Sequence, residues 1–326
     1  MNNKISTAQM QALIIIASLG FEILILPMLV NSIMECVIVS GISFLLCLIA
    51  IYSDFNINNN KILCFIYSVK NILVIILSIR ILGNAVKTVL LHNMYLYQII
   101  LILVFAISYA AYKGIETVAR VAQMLFWFIV IGTIYVYATS TLDIKLSNIN
   151  FNFNNVSKLL VYGLIINIAE IIILLKPFVL QNKNNVLIGV IISFLLIIFI
   201  TFVIIGKLGI EGIKKSQYPS FELMYTANLP SIFIKRQEGI FISLWTISAL
   251  ISIFIYFTVT IDFMKNLNID KKGGLLFMTI FIIIMSLVYN SYNSIRTYCF
   301  LQIVGGLITV FCIPIFYMFC RRKKID

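Results

Sequence analysis

The run ALIIIASLGFEILILPMLV at residues 12–30 is long enough to cross a bilayer, yet it carries three features that a passive anchor avoids. Gly20 lies near its middle, Glu22 follows within the same turn, and Pro27 interrupts the second half. A carboxylate near bilayer depth costs about 2.5–3.5 kcal/mol on insertion scales and marks a functional site by default. Glycine and proline loosen the helix where that charge needs a partner or water. The stretch therefore predicts a discontinuous helix with a polar site around its break, at Ser18, Leu19, Gly20, Phe21 and Glu22.

The rest of the chain has the same character. Of 326 residues, 62% are hydrophobic and 11% charged, with mean hydropathy +1.07. Soluble domains average about 45–50% apolar and about 25% charged, so the composition is that of an integral membrane protein. Repeated runs of roughly 20 apolar residues point to helices and away from a barrel, whose strands are half as long and alternate. The net charge of +12 comes from Lys and Arg placed singly or in pairs at the ends of apolar runs. That is where topology signals belong, and it argues against nucleic-acid binding. The six cysteines form no CxxC and fall mostly within apolar runs, as small buried hydrophobes; a Cys36–Cys299 bridge is the less favoured alternative.

Ten spans are predicted, at about 9–30, 34–52, 62–82, 95–112, 118–140, 157–180, 186–206, 239–263, 273–290 and 298–320. The first reads as an uncleaved helix, because no small-x-small cleavage site follows it. With the N-terminus inside, thirteen Lys and Arg fall on the cytoplasmic side against five in short outer loops, which places both termini in the cytoplasm. Ten spans divide into repeats at 9–140 and 157–320. The second is longer by 32 residues, the length of the polar segment 207–238. An odd number of spans per repeat makes the two halves inverted, a LeuT-like arrangement within one transmembrane domain.

This division predicts that span 6 breaks as span 1 does. Its sequence, VSKLLVYGLIINIAEIIILLKPFVL at 156–180, holds Gly163, Asn167, Ile168, Glu170 and Pro177. Glu22 and Glu170 thus lie on the first helix of each half, where a discontinuous pair meets at the midplane; simple helix–helix pairing is the plainer alternative. In span 3, Lys70 and Arg80 either snorkel to opposite membrane edges or supply a counter-ion, and Asn71 stands beside them. Span 8 offers Tyr256, Thr258 and Thr260, of which Tyr256 is the preferred ligand contact, since Thr more often bonds its own backbone. In 207–238, Pro219 and Pro230 bracket a short amphipathic helix over 220–228 capped by Ser220. With Phe221, Met224, Phe233 and Ile234 as apolar members, it reads as an extracellular lid or docking surface. His92 reads as solvated. There is no His/Cys cluster, Walker loop or nucleophile elbow, so no catalytic residue, metal or cofactor is predicted and the chain is not read as an enzyme.

At YKGIETVAR, residues 112–120, the chain resembles the spore germination permeases, the B subunits of GerA-type germinant receptors, through Gly114, Glu116 and Arg120. Ile5, Ser6 and Gln9 before span 1, Gly20 and Pro27 within it, and Tyr218, Pro219, Arg236, Glu238 and Trp245 further on agree in order and spacing. The 53–61 linker is shorter than that family's, and the last two spans carry few of its landmarks. The resemblance implies an amino acid/polyamine/organocation-type transporter fold with broken helices 1 and 6, and a site lined by helices 3 and 8. It implies a multi-pass protein of the spore inner membrane that works with an A subunit and a lipoprotein C subunit to sense nutrients, commonly amino acids. On this expectation the ligand carboxylate takes N–H groups where a broken helix restarts, and its ammonium faces free carbonyls, Glu22 or Glu170. Asn71 and Asn167 complete the polar lining, and Leu19, Phe21, Ile168 and Tyr256 read the side chain. A cation-coupled amino-acid permease is the alternative.

Overall fold

The computed structural model describes residues 4–53, 57–141, 144–151, 156–179, 183–225, 237–289 and 294–322. Its regular structure is helical: α1 (Thr7–Ser18), α2 (Phe21–Leu29), α3 (Ile33–Tyr52), α4 (Lys61–Val89), α5 (Leu96–Lys113), α6 (Ile115–Ser140), α7 (Val156–Tyr162), α8 (Ile168–Leu175), α9 (Lys183–Lys215), α10 (Pro219–Tyr225), α11 (Gln237–Asn266), α12 (Lys271–Val288), α13 (Ser294–Gly306) and α14 (Ile313–Arg322). A π-helical turn, Leu307–Cys312, joins α13 to α14. Among the described residues, eight helical stretches are long and apolar enough to cross a bilayer, and the bent pair α1 and α2 makes a ninth. The chain is an all-α, multi-pass integral membrane protein. Predicted span 6 takes the form of α7 and α8, each too short to cross alone.

Local chemistry sets the helix ends. Ser6 and Gln9 form a reciprocal capping box at α1. Ser32 and Asn60 accept from backbone N–H groups at the starts of α3 and α4. The landmark Ile5-Ser6-Gln9 is thus a helix start, and Ile5 also donates its N–H to Phe178 O at 2.9 Å, tying it to the end of span 6. Gly114, at φ 94° and ψ 170°, ends α5 and begins α6. Only glycine adopts that backbone without strain. Glu116 and Arg120 pair one turn later on an exposed face, so this motif is a joint between helices. α4 and α9 run past their predicted spans, because apolar length measures only the part of a helix within hydrocarbon.

The 207–238 segment departs most from expectation. α9 continues through it to Lys215, with a kink at Gly209 (φ 67°). The short helix α10 starts at Pro219, and the Tyr218 carbonyl accepts its first N–H groups. Ser220 is not the cap. Its hydroxyl donates to Ile23 O in α2 at 2.8 Å, the carbonyl that Pro27, lacking an N–H, leaves without its helical donor. Phe221 and Met224 are buried, and Phe221 meets Trp245 edge-on at 5.0 Å. α10 is therefore packed against α2, the second half of broken span 1. Arg236, Pro230, Ile232, Phe233 and Ile234 lie outside the described residues, as does the side chain of Glu238.

Candidate functional site

α1 and α2 meet at a 45° bend. Leu19 and Gly20 close the last turn of α1 by donating to Ile15, Ile16 and Ala17 carbonyls. α11 then stitches the break from one side. Trp245 Nε1 donates to Gly20 O at 2.9 Å, and Ser252 Oγ donates to Ala17 O at 3.1 Å. Gly20 allows this approach: a Cβ there would lie 3.2 Å from Ala249 Cα and 3.0 Å from Ser252 Oγ. The second break, residues 163–167, separates α7 from α8. A Cβ on Gly163 would overlap Ile42.

The two breaks touch each other. Glu22, in the first turn of α2, accepts the Asn167 backbone N–H at 3.2 Å and so caps α8 from another span. The α8 dipole favours a negative charge there. Asn167 is freed from capping its own helix, and its Nδ2 donates to the Tyr298 hydroxyl on α13. Glu22 and Asn167 are both 5% exposed.

Glu170, further along α8, has different company. Lys70 on α4 lies 2.7 Å from its Oε1, and Tyr256 on α11 donates to its Oε2 at 3.1 Å. Lys70 also donates to Thr309 Oγ1 in the π turn at 3.1 Å, and Tyr67 donates to Thr309 O. Lys70 is therefore a buried counter-ion and does not snorkel to the membrane edge. Gly305 gives it room, since a Cβ there would stand 2.5 Å from Lys70 Cε. Arg80 likewise turns inward and donates to Ser286 O at 3.0 Å.

The remaining predicted residues divide between cavity and packing. Phe21, Glu22, Asn167 and Tyr298 line a cavity of about 10 Å³ between the breaks, room for about one water. Ser18 bonds Ile15 O within its own helix, and Leu19 and Ile168 are buried outside that lining. Asn71 donates to Thr260 Oγ1 at 3.1 Å, joining α4 to α11. Sequence reasoning passed over Ser252, Tyr298, Gln302 and Thr309. The signals were present: Trp245, Ser252, Tyr256 and Thr260 form one helical stripe on α11, and Tyr298 and Gln302 stand four apart in an apolar span. Among the described residues, no group of three His, Cys, Asp or Glu is placed to hold a metal ion. A separate open groove of about 470 Å³, lined by residues such as Leu63, Ile313 and Phe316, lies between the start of α4 and α14.

A family profile described as "Spore germination protein" matches residues 60–295. The chain belongs to the spore germination permease family. It is similar to spore germination protein YndE of Bacillus subtilis (strain 168), with 25% identity over 184 residues, covering 51% of this chain and 48% of that protein. The chain spans about half the length of this curated relative. Lys70, Asn167, Glu170 and Tyr256 lie within the region matched by the family, whereas Glu22, Tyr298 and Gln302 lie outside it. Membership makes this a germination-related membrane protein of a transporter-like or receptor-like family, not of an enzyme class.

Proposed function

We propose that this protein is the nutrient-sensing membrane subunit of a spore germination receptor and binds an amino acid between the breaks of spans 1 and 6, with α4 and α11 as flanking walls. The observation that carries the reading is the contact of Glu22 with Asn167, a carboxylate from one broken span holding the restart of the other. Broken helices facing each other across a buried polar site supply the dipoles and backbone groups that recognise a zwitterion. Residues 9–140 and 157–320 act as two inverted repeats, with both termini cytoplasmic in the spore inner membrane. A larger A subunit and a lipoprotein C subunit read the ligand-induced state.

The cavity of about 10 Å³ is far below the ~300 Å³ of small-molecule pockets, so this conformation is closed. Admitting ligand parts α2 from 163–167. α10, packed on α2 through Ser220, moves with it as a lid. A ligand shifts the receptor only by its differential affinity for the open and closed states. The test is thermal stabilisation of the purified chain by a panel of amino acids, followed by flux into liposomes. Stabilisation without flux supports the receptor. Uptake of labelled amino acid supports the second reading, a cation-coupled permease, which the two broken spans favour. No shift with any amino acid defeats both.

A further inference from the structure

Three buried polar side chains line the small cavity, Glu22, Asn167 and Tyr298, and a fourth, Gln302, neighbours Tyr298; the last two are 1% exposed. Their donors and acceptors do not balance. Glu22 receives the Asn167 N–H, and no Lys or Arg pairs with it among the described residues. Asn167 Nδ2 donates one hydrogen to the Tyr298 hydroxyl, but its Oδ1 has no hydrogen-bond partner there. Gln302, one turn beyond Tyr298, turns its amide toward that hydroxyl, and its Oε1 likewise has no hydrogen-bond partner there. Buried polar atoms are nearly always paired, so a cluster of unpaired ones beside a cavity points to a missing partner. The open acceptors are Asn167 Oδ1 and Gln302 Oε1, beside a Glu22 carboxyl that takes backbone N–H groups and no basic side chain among the described residues. Glu170 differs in already having a cation: Lys70 Nζ stands 2.7 Å from its Oε1, and Tyr256 donates to its Oε2.

A primary ammonium brings three N–H donors and no acceptor, which matches the deficit. We infer that Glu22, Asn167 Oδ1 and Gln302 Oε1 form an ammonium subsite, with Tyr298 as the positioning residue that holds the Asn167 amide in place. This rests on the proposed reading of the site as an amino-acid site, and extends it in two ways. It assigns the ligand ammonium to Glu22 in preference to Glu170, and it makes α13 a specificity-bearing wall. It also makes the amine the obligatory part of the ligand. A carboxylate without an amine is rejected, whereas an amine without a carboxylate retains measurable binding.

The experiment uses the full chain in nanodiscs, with thermal shift and calorimetric titration against the standard L-amino acids, ethylamine and propionate, in sodium or choline chloride. At least one amino acid binds, ethylamine binds detectably and propionate does not. Glu22→Gln and Gln302→Leu each weaken the amino acid about tenfold or more, as loss of a hydrogen bond to a charged group requires. Gln302→Glu, which keeps an acceptor oxygen, retains binding and serves as the informative variant if Gln302→Leu fails to fold. Tyr298→Phe weakens ethylamine and the amino acid by the same factor, as a positioning role requires. Amino-acid binding with equal propionate binding, or binding unchanged in Gln302→Leu, overturns the inference and leaves the amino-acid site standing. A shift produced by sodium alone, with amines adding nothing, reassigns the cluster to an inorganic cation and overturns it as well. No binding of any amino acid or amine removes both.

Discussion

Lys70 and Glu170 form an ion pair at 2.7 Å between α4 and α8, and both side chains are almost wholly withdrawn from solvent. A buried pair is weak evidence for stability, because its attraction competes with the cost of desolvating both charges. Breaking it from one side is another matter. Lys70→Met and Glu170→Gln should each lower unfolding stability in detergent by about 3–5 kcal/mol, since each strands one charge in the core. The double variant should recover most of that loss. Strict additivity in denaturant titrations of the four proteins would show that the two groups do not interact.

The contact between Ser220 and Ile23 yields a second cycle. Ser220→Ala leaves the Ile23 carbonyl without a donor, at a cost of about 1–3 kcal/mol. Pro27→Ala restores a backbone N–H within reach of that carbonyl, so Ser220→Ala should cost much less in the Pro27→Ala background. Equal losses in both backgrounds, read by thermal unfolding, would mean that the hydroxyl serves something else.

Gly20 and Gly41 make a matched pair of substitutions. Gly20→Ala places a Cβ 3.2 Å from Ala249 Cα and 3.1 Å from Ala17 O, and should destabilise by about 1–3 kcal/mol through overpacking. Gly41→Ala on α3 meets nothing within 4 Å. It should be neutral or stabilising by up to about 1 kcal/mol, the ordinary helix-propensity gain. Melting temperatures of the two variants moving together would contradict this packing.

The joint between α5 and α6 separates backbone from side-chain effects. Gly114→Ala forces φ 94° on a residue with a Cβ, which costs about 1–3 kcal/mol. Glu116→Ala removes an exposed ion pair whose Arg120 is 68% exposed, and should change stability by less than about 0.5 kcal/mol. Limited proteolysis at the joint should sharpen in the first variant and stay unaltered in the second.

Apolar run length is a direct readout of bilayer thickness, so the membrane class and most spans were legible in the sequence. The breaks were legible too, because Gly20 beside Glu22, and Gly163 before Asn167 and Glu170, put helix-loosening and charge in one place. What Lys70 does was not. Whether a lysine in an apolar run snorkels or points inward depends on the rotation of its helix against its neighbours, and nothing local to α4 encodes that rotation. Tyr298 and Gln302 were overlooked for a related reason: a glutamine reads alike whether it packs or lines a cavity. The α10 cap failed on competition, because a serine hydroxyl that suits a helix start was claimed by a carbonyl in a different span.

The π turn at Leu307–Cys312 gives the last span one residue more than an α-helical register would hold. Each residue of an α-helix advances the phase by about 100°, so the two ends of this span are indexed independently. α13 is set by Gly306, where even a Cβ would come within 3.2 Å of the Leu164 carbonyl. α14 is set by the groove it shares with the start of α4. Deleting one residue between 307 and 312 would pull the two ends into a common phase. Only one of them could then keep its neighbour, and Thr309 would swing out of register with Tyr67 and Lys70. The span behaves as a coupling between two misaligned shafts, and the surplus residue is what lets both stay engaged.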